Sequence, residues 1–174
     1  MRFNICLVAL AATVVTASPA FAQQASATAE ARGRVLAPLT LTKAFDLDFG
    51  TVSSDPLAAG TVAVDVTNPA SPARNFTGGV TLVPSVWQPA EFDGKGEPGR
   101  AFTLTLNPPA SLTSGGNSIT VNSMVLDTCS CVTDTRSADL AGNFTVYVGG
   151  DFAIGANQAS GLYTANFTVT ADYQ

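Results

Sequence analysis

Cys129 and Cys131, separated only by Ser130, are the residues whose type and spacing most directly suggest chemistry. In an oxidising compartment two thiols this close end as a disulfide, and a bridge over one residue needs Cα atoms within about 7 Å, so the segment must turn there. Three states stay open: a tight local disulfide, a cross-link to another chain, or free or metal-bound thiols. Two cysteines without a second pair or any histidine do not complete four zinc ligands. The second candidate is Asp46 and Asp48, which flank Leu47. In a strand both face one side, where an acid pair or a calcium site is one reading and a solvated strand face the plainer one.

The remaining catalytic inventory is thin. The 174 residues include no histidine, which removes the commonest general base and every Ser-His or Cys-His pair. No G-x-S-x-G elbow and no H-E-x-x-H helix is found. The sequence therefore predicts a protein that is not an enzyme and carries no cofactor and no metal. Eight Lys and Arg against 13 Asp and Glu leave a net charge of −5, so a nucleic-acid partner, which needs cations to neutralise phosphates, is not expected. Asn75, Asn143 and Asn166 each open an Asn-Phe-Thr triplet of the N-glycosylation type. Phe76, Phe144 and Phe167 in these triplets are read instead as buried strand residues with polar neighbours facing outward.

The elements that must position these residues begin behind a leader. Arg2, the apolar run from Ile5 to Val15, Pro19 and the triplet Ala20-Phe21-Ala22 form the three regions of a secretory signal over residues 1–22, with cleavage before Gln23. No later run approaches the roughly 20 apolar residues of a membrane-spanning helix. The expected route is secretion through the periplasm, with the cell surface or the extracellular space as destination. About 150 residues then remain, the size of one domain.

Strand-like runs recur at Thr61 to Val66, Val80 to Val83, Ala101 to Leu106, Ser118 to Leu126, Phe144 to Val148 and Leu162 to Tyr173. Turn signals separate them, among them Asn68-Pro69, Gly115-Gly116-Asn117 and Gly149-Gly150-Asp151, and Asp93 to Arg100 reads as one hairpin loop. This pattern predicts an all-β, immunoglobulin-like antiparallel β-sandwich of about seven strands over residues 38–174.

The two ends of the mature chain differ from the middle. In residues 23–37 small residues occupy alternate positions, including Ala27, Ala29, Ala31, Gly33 and Val35, as in an extended strand with a small-residue face. From Tyr163 to Tyr173 apolar residues alternate without a break against polar ones, and Gln174 closes the sequence. That strand is expected to lie at an open edge.

At these ends the sequence resembles the pilus subunits of the chaperone-usher pathway. A penultimate tyrosine and a glycine 14 positions from the end correspond to Tyr173 and Gly161. Leu47-Asp48-Phe49-Gly50-Thr51-Val52 resembles an early strand of the archaic, spore-coat-U-like branch. The mature chain as a whole is similar to a family of small secreted Gram-negative proteins known only as a domain of unknown function. It differs from many pilins in lacking a cysteine pair in its first strands and in an alanine-rich arm. The resemblance implies β-strand addition, in which main-chain hydrogen bonds supply affinity and alternate side chains supply specificity. Residues 23–37 would be the donor arm, and Gly161, Tyr163, Phe167, Val169 and Tyr173 the partner-binding edge. The partners would be further copies of the chain or a periplasmic chaperone. The function expected on this basis is that of an exported structural or adhesive surface protein, a pilin-like subunit. The alternative is a self-complete, monomeric secreted β-sandwich binding module.

Overall fold

Alternation fixes the centre of the molecule. In β7 (Ala101–Asn107) the side chains of Phe102, Leu104 and Leu106 are 0, 0 and 2% exposed, while the threonines between them point away. Truncating such a residue to alanine costs about 2 to 5 kcal/mol, so this one strand carries a large share of a typical domain's net stability.

The computed structural model describes residues 24–174, and the signal read at residues 1–22 lies outside them. Two compact units are present, divided between Arg34 and Val35. Of the first, residues 24–34 are exposed, with no strand assigned and with Arg32 paired to Glu30 at 2.6 Å. The second unit, Val35–Gln174, starts slightly before the boundary at residue 38 expected from the sequence.

Besides β7 the described residues form β1 (Thr40–Phe45), β2 (Val52–Ser54), β3 (Gly60–Asp65), β4 (Ala73–Gly78), β5 (Val80–Leu82) and β6 (Ala90–Lys95). Beyond it come β8 (Ser111–Ser114), β9 (Asn117–Leu126), β10 (Thr133–Ser137), β11 (Asn143–Ile154) and β12 (Thr168–Tyr173). The architecture is all-β, and every pairing is antiparallel. One sheet runs β1-β6-β11-β3-β4, with β9 also paired to β11 and β8 to β9; a second runs β10-β7-β12; β2 and β5 form a separate pair. Among the described residues the strands number twelve where about seven are expected from apolar runs. Short polar strands such as β1, β4 and β10 account for the difference, since they carry no apolar alternation to read.

Two cores lie between these layers. The first joins Phe102, Leu104 and Leu106 to Ala90, Met124, Leu126, Val146 and Val148, and the second joins Val62, Val80, Ile119, Phe152 and Ile154. Between them β11 changes partner: its residues 143–148 pair with β6 and 150–154 with β3, while β9 pairs with residues 148–152.

This exchange corrects a turn expected at Gly149-Gly150-Asp151. These residues lie inside β11, and a Cβ on Gly149 would stand 2.3 Å from the Val64 carbonyl oxygen. The glycines are there for close approach of neighbouring backbones rather than for a reversal. Asp93 to Arg100 is likewise no hairpin loop, because β6 runs to Lys95 and residues 96–100 cross from the first sheet to the second. Gly115-Gly116 does turn the chain: both have positive φ (+52° and +87°), and Ser114 pairs with Asn117 across them, a two-residue hairpin.

Of the three Asn-Phe-Thr phenylalanines, Phe144 packs on Phe102 with ring centroids 4.3 Å apart, and Phe167 meets Phe92 edge-on at 6.0 Å. Phe76, expected to be buried, is 51% exposed because it sits on β4, which pairs only with β3 at the end of its sheet.

Candidate functional site

The longest alternating stretch of the sequence leads to the site. Within residues 163–173 the odd-numbered side chains, Ala165 excepted, are half-buried and the even-numbered ones exposed, but only Thr168–Tyr173 is strand. β12 pairs with β7 alone among the described strands, so its other edge is unpaired. β1 likewise pairs with β6 alone and leaves an edge free. These two edges belong to different sheets and flank a seam over the first core, where Leu39 and Leu47 from one side and Phe167, Val169 and Ala171 from the other pack down.

Further along the chain from β1, and ahead of β12, the seam widens into a groove of about 630 Å³. Its walls are residues 46–54 and 158–164, and its floor is Leu112, Ile119, Phe152 and Ile154 of the second core. The first wall is held by local chemistry. Asp48 accepts from its own turn at Gly50 N (2.7 Å), and Gly50 takes φ +69°, which suits a residue without a Cβ. Arg74 of β4 donates to the Thr51 carbonyl, and the Ser85 hydroxyl accepts from Thr51 N at 2.7 Å. Phe49 meets Phe152 edge-on at 4.5 Å and so ties wall to floor. On the second wall the Tyr163 hydroxyl donates to the Ala159 carbonyl (2.7 Å) and accepts from Gln158 (2.8 Å).

The floor residues Ile119, Phe152 and Ile154 are only 6, 7 and 4% exposed, so their own apolar surface is already largely covered. The groove's volume suits a small ligand. Its walls, however, present main chain more than convergent polar groups: β2 pairs on one side only, with β5, and residues 158–163 are paired in no strand. Leu162, on the rim, is 82% exposed.

The expected site residues separate into distinct places. Gly161 and Tyr163 line the groove; Phe167 and Val169 pack on the first core beside it. A Cβ on Gly161 would meet the Ser114 hydroxyl, which can rotate away, and would also lie 3.2 Å from the Ser114 Cβ, which cannot. Tyr173 is remote from the groove, its hydroxyl donating to the Ala37 carbonyl at 2.9 Å and accepting from Glu97 N at 2.6 Å. Ala27, Ala29, Ala31 and Gly33 lie in the exposed first unit, and Val35 opens the second at 95% exposure. Cys129 and Cys131 are joined to each other in the turn between β9 and β10, with Cα atoms 5.1 Å apart.

Asp46 and Asp48 do not form an acid pair, since Asp46 pairs with Lys43 at 2.6 Å and Asp48 caps its own turn. Among the described residues no three His, Cys, Asp or Glu side chains gather to hold a metal ion, and no helix is long and apolar enough to cross a membrane. The sequence did not mark the floor residues or Arg74 as part of a site. The alternation of Leu47 and Phe49 around Asp48 was the available signal for the first wall, whereas a lone arginine in a polar strand gives none.

A family model described as a domain of unknown function (DUF4402) matches residues 39–173, which takes in both walls of the groove, its floor and β12. No curated protein and no solved structure matches the chain.

Proposed function

We propose that this chain, which belongs to the domain-of-unknown-function family DUF4402, is a non-enzymatic structural protein, exported and assembled by β-strand addition like a pilus subunit. The observation that carries the reading is the groove between residues 46–54 and 158–164, over an apolar floor: Asp48 bridges Gln88, β2 pairs with β5 and Thr164 bridges Thr113, but among the described residues no strand pairs with the groove side of β2 or with residues 158–163. An added strand would satisfy those backbone groups, and exposed strand edges are otherwise hazards that proteins cover. The occupant we assign is the segment 24–34 of a second copy. It is exposed and pairs with no strand, its alternate small side chains need little room beside main chain, and its net charge of +1, Arg32 and Arg34 less Glu30, is opposite in sign to Asp46 and Asp48 of the wall. Such a contact is head-to-tail and propagates instead of closing into a dimer.

The test is deletion of residues 23–34. The expected outcome is a folded monomer, where the full mature chain gives a ladder of multimers, and capture of a synthetic peptide of residues 23–36 by the deleted protein. A full-length chain that stays monomeric at high concentration would instead support the self-complete binding module.

A further inference from the structure

The seam that holds the groove is fastened at both ends. At one end Asn157 N donates to the Asp55 carbonyl at 2.8 Å, just beyond the 54 and 158 ends of the two walls. At the other end three residues close a ring. The Tyr173 hydroxyl donates to the Ala37 carbonyl, Glu97 N donates to that hydroxyl, and Ala37 N donates to the Glu97 carboxylate at 3.1 Å. Gly96 makes room for this, since a Cβ there would lie 2.9 Å from the Tyr173 hydroxyl and 2.8 Å from Leu39 Cδ1. Arg100 also donates to the Gln174 carbonyl at 2.6 Å, and the Gln174 amide reaches Thr103 (2.9 Å) and Thr135 (3.1 Å), so the end of β12 is held from both sides.

We infer that these two fastenings bound the seam open to an incoming strand: the groove wall 158–164 takes a short stretch of a second copy, matched in length by the seven residues Ala27–Gly33, and the Tyr173–Ala37–Glu97 ring stops that strand from running out along β12. This rests on the strand-addition reading above. The shorter wall is seven residues, 158–164, and Ala27 to Gly33 is seven residues with Ala27, Ala29, Ala31 and Gly33 on one face and Thr28, Glu30 and Arg32 on the other. In an added strand the four small residues then share the face toward the floor and Thr28, Glu30 and Arg32 the opposite face. At the ring, the Tyr173 hydroxyl spans from β12 to Ala37 and Glu97, so a strand that extended past the groove along the β12 edge would have to break these hydrogen bonds to reach its end. The Tyr173 side chain is thus a stop for the added strand rather than one of its anchors.

Amide hydrogen exchange on the full mature chain, wild type and Tyr173→Phe, tests this in dilute monomer and in assembled multimer. The phenylalanine keeps the ring that packs on the core and removes only the hydroxyl, and slow exchange at Leu104 and Val146 serves as the control for folding. In the monomer, Tyr173→Phe should speed exchange of the Glu97 amide several-fold; unchanged exchange there overturns the fastening, whatever assembly does. On assembly, wild type should gain protection at residues 46–54 and 158–164 but not at 169–173, and Tyr173→Phe should extend it into 169–173. Wild-type protection that already runs to 173 would overturn the stop while leaving strand addition intact. Multimers without protection at either wall would overturn the strand-addition reading and, with it, the stop.

Discussion

Arg136 of β10 donates to the carboxylate of Asp127, at the end of β9, with both side chains nearly buried at 12 and 6% exposure. The same guanidinium reaches Asp134 through Nε at 2.7 Å, the Thr128 hydroxyl at 2.9 Å and the Thr145 carbonyl at 3.3 Å. It therefore ties the second sheet to the turn that carries the disulfide and to β11. Removing one partner of a buried pair leaves the other charge uncompensated, at a cost of about 3 to 5 kcal/mol. Arg136→Met should lower the urea midpoint accordingly, and a loss under about 1 kcal/mol would show the network to behave like a surface pair.

Asp134 makes part of this stability depend on pH. Burial alone would push its carboxyl up, but hydrogen bonds from Thr128 and Arg136, with the charge of Arg136, hold it below the usual carboxylate range. A depressed folded-state pKa gives stability that is present above the unfolded value of about 3.9 and is lost as pH falls through the lower folded one. Unfolding midpoints measured from pH 6 down to pH 2 should fall below about pH 4, and Asp134→Asn should flatten that fall. A wild-type profile as flat as that of the variant would refute the assignment.

The parts of this fold legible in the sequence are those where burial imposes a period. Phe102, Leu104 and Leu106 alternate with threonines, and β7 lies where they place it. Gly149 and Gly150 misled because the same residue serves a turn and a crowded strand crossing, and only the positions of Val64 and Ser123 tell them apart. Of the groove's lining, Tyr163 was marked by alternation and Gly161 by the resemblance to pilus subunits. The floor was not marked, because Ile119, Phe152 and Ile154 look like any core residues until two walls are seen to part above them. Tyr173 stood out by its position, yet its partners Ala37 and Glu97 are distant in sequence and chemically ordinary.

The bridge between Cys129 and Cys131 closes a loop of three residues, so it restrains little of the unfolded chain. The loop-entropy relation gives about 1 to 2 kcal/mol for so short a loop. A Cys129→Ser, Cys131→Ser double variant should lose about that much in chemical denaturation while keeping the β-sheet signal. Complete unfolding would show that the turn depends on the bridge far more than chain entropy allows.

Two glycines give opposite expectations for one substitution. A Cβ on Gly149 would press on the Val64 carbonyl at 2.3 Å and on both Val66 methyls at about 3 Å, all within the packed crossing of β11 and β3. Overpacking of this kind costs about 1 to 3 kcal/mol or more, so Gly149→Ala should lower the melting temperature by several degrees. Gly33 has nothing within 4 Å of the same added atom, and Gly33→Ala should leave thermal stability unchanged.

Leu162 and Val169 separate the groove from the fold. Leu162 stands on the groove rim at 82% exposure, whereas Val169 is half-buried and packs on the first core opposite β7. A charge at Leu162 disturbs little that is already packed but puts an ionised group beside the main chain that an added strand must approach. Leu162→Glu should therefore keep the wild-type melting temperature and weaken multimer formation, because its carboxylate loses solvent as a strand packs beside it. Val169→Glu must desolvate its charge against the core, which costs several kcal/mol, so it should lower thermal stability before any question of assembly arises. Side-by-side melting and sedimentation of the two variants decides the matter. If Leu162→Glu assembles as well as wild type, the groove is not where the added strand lies.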